Sequence, residues 1–173
     1  MKELYTVIQQ VKDLQKSGLK FVLATVVRVE GSAYRRPGAR MLIAEDGNWW
    51  GGISGGCLEG DILKKAQLAL FSQNYKTITY DTREEDPFAL GIGLGCNGKI
   101  VILINPFKEQ IISFCDVLKK ALDAPYATWI KSIWNFAQSD LSSVVEMDSK
   151  QIQPLSTQFI RLKQIQNLFV CNF

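Results

Sequence analysis

The chain has 173 residues, 47% of them hydrophobic and 21% charged, which is enough for one ordinary domain, or a domain with an appendage, to bury a core. Its net charge is +3, and the lysines are spread along the chain, so the clustered basic face of a nucleic-acid binder is missing. Histidine is absent, which excludes Ser-His-Asp and Cys-His catalysis and every histidine-based metal motif.

The N-terminus M-K-E-L-Y-T has no apolar signal-like stretch, and no run approaches the roughly 18 apolar residues of a membrane span, so a cytoplasmic protein without a membrane partner is expected. Cys57, Cys96, Cys115 and Cys171 are irregularly spaced and include no C-x-x-C pair, which in that compartment predicts free thiols rather than disulfides or structural zinc.

Leu4, Val7, Ile8, Val11 and Leu14 recur at helical spacing, and Gly18 follows as a residue free to take the positive φ of a helix C-terminus. From Lys20 the run F-V-L-A-T-V-V-R-V-E is β-branched and apolar, as in a strand buried on both faces. The loop Y-R-R-P-G comes next, then a strand over residues 39–44, a turn at 45–47 and a strand over 48–53. Leu58, Ile62, Leu63, Ala66 and Leu70 share one helical face, which makes Ser54-Gly55-Gly56-Cys57 a strand-to-helix turn. A strand at residues 76–80, an acidic loop at 82–90, the cluster G-I-G-L-G-C-N-G at 91–98 and a buried strand at 99–104 complete this region. No glycine follows Gly98, and the shift suggests a boundary near Asn105-Pro106. Beyond it the pattern predicts a helix over residues 107–122 and strands near 126–134, 143–147, 157–163 and 166–171. The expected architecture is α/β: a mixed, largely buried sheet flanked by helices over residues 1–106, with a small helix and strand appendage over 107–173.

Three features carry chemical potential. The S-G-G-C turn stands at a helix N-terminus, whose unpaired amides and positive dipole end suit an anion, and glycines let that anion approach the backbone. Neither a P-loop nor a clean G-x-G-x-x-G is present, and Glu59 and Asp61 in the first turn could stabilise the dipole themselves, so an anion site and a plain tight turn are equally served. Cys57 shares this helix start, where a thiolate is favoured, although a lone cysteine is more often a small core residue. Cys96 lies in the second glycine cluster, and two thiols in two loops could converge on one pocket. Arg35 and Arg36 precede the Pro-Gly turn and Arg40 follows it, so fork-shaped donors stand where they could meet phosphate or carboxylate. Trp49 and Trp50 could flank a planar ligand, though one of two adjacent strand tryptophans normally enters the core.

Taken together, G-S-A-Y-R-R-P-G-A-R-M, G-G-I-S-G-G-C-L-E and G-L-G-C-N-G-K-I-V-I-L-I resemble the three signature blocks of the xanthine dehydrogenase accessory factors, the XdhC/CoxI family, in order and in spacing. The resemblance covers residues 4–106. It implies a maturation chaperone rather than an enzyme. Such a factor binds and protects molybdenum cofactor, assists its sulfuration with a cysteine desulfurase, and hands it to a xanthine-dehydrogenase-type apoenzyme. The cofactor is a pterin dithiolene bearing a phosphate, with or without a nucleotide, and wants an anion cradle, arginines and soft sulfur.

Matched block by block, the resemblance assigns binding to Arg35, Arg36, Arg40, Ser54, Gly55, Gly56, Cys57, Glu59, Gly95, Cys96 and Gly98, with Cys57 and Cys96 as candidate contacts to molybdenum. Two departures stand out. Asn97 replaces a glycine common in the third block, and the final N-L-F-V-C-N-F stops where a Rossmann-like domain would begin, so NAD binding is not expected. Hand-over of a large planar cargo suggests a homodimer or an exposed docking surface. The competing readings are a thiol-dependent or redox enzyme using Cys57 and Cys96, and a structural module that holds no ligand.

Overall fold

A computed structural model describes residues 2–81, 83 and 97–124, together with the backbone of the strands at 128–135, 140–148 and 168–172. The chain divides into two compact units, Met1–Ile111 and Ile112–Phe173.

The first unit contains α1 (Lys2–Ser17), β1 (Phe21–Gly31), β2 (Arg40–Ala44), β3 (Trp49–Gly51), α2 (Glu59–Ser72), β4 (Lys76–Asp81) and β5 (Gly98–Asn105). Its five strands form one sheet in the order β3-β2-β1-β5-β4, with β1 at the centre. The α/β class expected from the sequence is the one found. The pairing is not mixed, however: all four ladders of this sheet are antiparallel. Connection length explains much of this. Residues 32–39 and 45–48 join β1 to β2 and β2 to β3, and a parallel pairing would need a crossover of about a dozen residues or more.

Burial follows the pleat. Val22, Ala24 and Val26 of β1, Met41 and Ile43 of β2, Ile102 and Ile104 of β5, and Ile78 and Tyr80 of β4 share one face with Ile62, Ala66, Ala69 and Leu70 of α2. Each fully buried aliphatic side chain of this kind is worth about 1.5–3 kcal/mol, so this layer is the main source of stability. The alternate residues Phe21, Leu23 and Leu42 are also buried, and α1 packs on β2 and β3. That accounts for the uninterrupted apolar run of β1, which must satisfy two covered faces. In α1, Val7, Ile8, Val11 and Leu14 are buried, and Gly18 ends the helix at φ +77°.

A register shift between Val26 and Arg28 inserts one residue opposite β5 and returns Val29 to the core face, across from Ile100. Beyond it, Gly31 pairs with Gly98, and Ser32 N donates to Asn97 O at 3.0 Å. The loop that follows β1 therefore leaves the sheet from a fixed backbone position.

In the second unit, Phe114, Cys115, Leu118 and Ala121 are buried residues of α3 (Lys108–Asp123). Three further strands, β6 (Thr128–Asn135), β7 (Asp140–Asp148) and β8 (Leu168–Asn172), form an antiparallel sheet in the order β7-β6-β8. The strand expected at residues 157–163 lies outside the described residues.

Candidate functional site

The arginine loop is fixed by its own turn chemistry. Ala39 N donates to Arg36 O at 3.2 Å, closing a four-residue turn with Pro37 second and Gly38 third. Gly38 has φ +92°, the geometry of a type II turn, in which proline presets one φ and glycine tolerates the next. Gly38 N and Val26 N bond Val26 O and Ala39 O at 2.8 and 2.9 Å, tying the turn to β1.

The three arginines of this region have separate surroundings. Arg40 is buried at 4% exposure and donates from Nη1 to Gly38 O at 2.7 Å, bracing the turn from inside. Arg35 forms a two-pronged bond to Glu3 of α1, Nη1 to Oε2 at 3.0 Å and Nη2 to Oε1 at 3.3 Å, while its Nε is buried without an acceptor. Arg36 is exposed and forms no ion pair among the described residues.

The S-G-G-C turn connects β3 to α2 as expected, and its donors converge inward. Glu59 Oε1 accepts from Ile53 N at 3.2 Å and Ser54 N at 2.8 Å. Glu59 Oε2 accepts from Gly56 N at 3.1 Å and from the Ser54 hydroxyl. Ser54 Oγ in turn accepts from Gly56 N at 3.2 Å and Leu58 N at 3.0 Å, bracing the turn that leads into α2. Burial of the Glu59 carboxyl tends to raise its pKa, but the hydrogen bonds from the Ser54 hydroxyl, the Ser54 amide and the Ile53 amide outweigh it and hold the group below its ordinary range.

Cys57 is a free, exposed thiol two residues before the first residue of α2, beside the fully buried Leu58. Gly56, at φ +112° and with open space where a Cβ would be, lets the chain reverse there.

The two loops meet at two glycines. A Cβ on Gly55 would stand 3.3 Å from three ring atoms of Tyr34, so that ring covers the turn while remaining 70% exposed, with Arg35 Cζ 5.9 Å from its centroid. A Cβ on Gly52 would stand 3.6 Å from both Arg35 Nη2 and Glu59 Oε1. Of the residues singled out in the sequence, Arg35, Ser54, Gly55, Gly56, Cys57 and Glu59 are thus gathered around one surface. Arg36 is exposed in the same loop as Arg35, and Arg40 lies beneath that loop.

Gly98 is in β5 and is packed against the Ser32 and Glu30 carbonyls. Gly95 and Cys96 lie outside the described residues. Trp49 is exposed and Trp50 half-buried on the edge strand β3. Sequence reasoning missed Glu3 and Tyr34. Glu3 is 32 residues from Arg35 with no local pattern to join them, whereas an aromatic directly before the arginine pair was a signal available to be read.

Residues 14–81, which hold both loops, match the XdhC and CoxI family. Over these residues the chain is similar to the XdhC and CoxI family. A probable xanthine dehydrogenase subunit from Bacillus subtilis (strain 168) is 51% identical over 80 residues, covering 46% of this chain and 24% of the relative. The molybdenum cofactor insertion chaperone PaoD of Escherichia coli (strain K12) is 32% identical over 104 residues, covering 60% of this chain and 32% of that protein. A crystal structure described as a xanthine dehydrogenase from Bacillus halodurans superposes with a TM-score of 0.62 at 30% identity, covering 96% of this chain and 52% of that one. The chain therefore spans about a quarter to a third of these curated relatives and about half of the solved chain. The XdhC and CoxI match includes Arg35, Arg36, Arg40 and residues 54–59 but stops short of residues 91–98.

Among the described residues, no group of three or more His, Cys, Asp or Glu is placed to hold a metal ion, and no helix is long and apolar enough to cross a membrane. Among the described residues of these two loops, Cys57 offers a soft sulfur and Arg36 a guanidinium outside any ion pair.

Proposed function

We propose that this chain binds molybdenum cofactor and delivers it to a xanthine-dehydrogenase-type apoenzyme, acting in the cytoplasm as a maturation chaperone, not as a catalyst. The observation that carries the reading is the family match over residues 14–81 coinciding with a surface on which Cys57, Arg36 and Tyr34 are all exposed. These groups suit the cargo. A guanidinium matches a phosphate through parallel N–H donors, an aromatic face accepts a planar pterin, and a thiolate is a soft ligand for molybdenum. The bound cofactor supplies the molybdenum and dithiolene chemistry that the client enzyme needs. This chain's own residues hold and orient it: Arg36 the anionic end, Tyr34 one ring face and Cys57 the metal side, on loops braced by Arg40 and Glu59.

Gly95 and Cys96 belong to the proposed site through the third sequence block, and Gly98 through its anchoring of that block to β1. Sulfuration with a cysteine desulfurase and assembly as a homodimer are further parts of the proposal, supported by the family resemblance. The experiment is anaerobic reconstitution of the purified chain with molybdenum cofactor, followed by pterin fluorescence and metal analysis of the protein fraction. Near-stoichiometric pterin in the wild type and loss in an Arg36→Ala, Cys57→Ala double variant is the expected result. Equally little pterin in both would overturn it.

A further inference from the structure

A cradle of backbone amides at the start of a helix suggests an external anion, but this one is filled from within. Glu59 is the first residue of α2, and its carboxylate turns back over the preceding loop to take four donors: the amides of Ile53, Ser54 and Gly56 and the hydroxyl of Ser54. This is not the common capping box, in which the glutamate sits in the third helical position and reaches one residue; here it gathers groups three to six residues away. Among the described residues no cation is paired with it: the neighbouring Arg35 directs both terminal nitrogens to Glu3.

We infer that Glu59 is a positioning residue, the resident anion of the Ile53–Gly56 amide cradle, which closes that cradle to an external phosphate and fixes the turn so that Cys57 faces solvent. Charge-assisted bonds to a carboxylate are roughly twice as strong as neutral ones, and an internal carboxylate needs no association step. A ligand phosphate would have to expel it from all four donors at once. The anionic part of any cargo is therefore received outside the cradle, where Arg36 is exposed. Ser54, Gly55 and Gly56 serve the turn: Ser54 bridges Glu59 to Leu58 N, Gly55 leaves room for the Tyr34 ring, and Gly56 takes the positive φ.

The test uses the whole chain, inorganic phosphate, sodium formate and two variants. Amide resonances of Ser54 and Gly56 report on the cradle, and the rate of Cys57 alkylation by iodoacetamide, mapped by mass spectrometry, reports on the thiol. In the wild type, millimolar phosphate leaves both resonances in place. In Glu59→Ala the two amides move upfield and Cys57 reacts about threefold more slowly, because the loosened turn no longer holds the thiol toward solvent. Formate, which returns a carboxylate to the empty cradle, reverses both effects in the variant and changes nothing in the wild type. Should Glu59→Ala not fold, the neutral isostere Glu59→Gln carries the test, with the same upfield shift and slower alkylation. Saturable movement of the wild-type amides with phosphate, unchanged amides in either variant, or a folded Glu59→Ala that formate does not restore would each overturn the inference. None of these measurements involves molybdenum cofactor, so failure here and failure of cofactor binding are told apart.

Discussion

Gly98 meets the carbonyl of Ser32 so closely that a Cβ on it would lie 2.2 Å from that oxygen and 2.8 Å from the oxygen of Glu30. Both neighbours are backbone, so neither can rotate away. Gly98→Ala is expected to cost about 3 kcal/mol or more, the upper end of overpacking, because β5 must shift against β1. Gly55→Ala is tight at 3.3 Å, but the crowding atoms belong to the largely exposed Tyr34 ring, which can swing outward. That substitution is expected to cost less than about 1 kcal/mol. Urea unfolding of the two variants checks the contrast, and similar midpoints would contradict it.

The buried Tyr80 gives a second expectation. Tyr80 is 1% exposed, and its hydroxyl donates to Asp61 Oδ2 at 2.5 Å, where Lys65 Nζ also binds at 2.5 Å. Burial first, then donation to Asp61, pushes the Tyr80 pKa well above its ordinary 10.0. A raised folded-state value means that this stability is complete below about pH 10 and is lost as pH rises beyond it. Tyr80→Phe is expected to cost about 1–2 kcal/mol at neutral pH, since Asp61 keeps Lys65 and has access to water. It should also flatten the alkaline limb of the stability profile. An unchanged limb would show that the hydroxyl does not titrate with unfolding.

Much of this fold could be read in the chain because its periods are unambiguous. The helical spacing of Val7, Ile8, Val11 and Leu14 and the two-sided run of β1 name their own burial, and Pro37 and Gly38 name their own turn. Strand direction was not legible, since an apolar run buried on both faces looks the same in either orientation. The site was legible as loops but not as contacts. Glu59 looked like a helix-dipole charge, yet its carboxylate turns backward, which depends on the path of the chain from Ile53 to Gly56. Arg35 looked available for a ligand, yet Glu3 claims it from another helix. Trp49 remains exposed because β3 is an edge strand, which adjacency in sequence cannot reveal.

Acid should loosen the S-G-G-C turn before it unfolds the sheet. The folded-state pKa of Glu59 is lowered from 4.5: burial opposes ionisation, but the Ser54 and Ile53 hydrogen bonds outweigh it. Its contribution is therefore present above about pH 4.5 and is lost as pH falls through the lowered value. Hydrogen exchange at Ser54 and Gly56 should accelerate relative to the β1 amides over that window. In Glu59→Gln, exchange at these two amides should already be fast at neutral pH and should lack this acid step.

The arginines of the first block separate stability from binding. Arg40 is buried and donates to Gly38 O beneath the Pro-Gly turn, so Arg40→Ala removes a bond and leaves a space where a long side chain was packed. A loss of about 2–3 kcal/mol is expected, in the range of core truncations. Arg35 and Glu3 keep 37% and 41% of their side-chain exposure, so Arg35→Ala should cost no more than about 1 kcal/mol, and less in high salt. Arg36 is exposed with no ion pair among the described residues, so Arg36→Ala should leave the unfolding midpoint unchanged within about 0.5 kcal/mol. If Arg36 receives the anionic end of the proposed cofactor, it is nonetheless the variant whose pterin retention should fall, by about tenfold for the loss of one charge-assisted contact. Thermal unfolding and pterin retention measured on the same three proteins decide the matter. Retention that merely follows stability, falling most in Arg40→Ala and not at all in Arg36→Ala, would make the first block a folding element and move the cofactor contacts elsewhere.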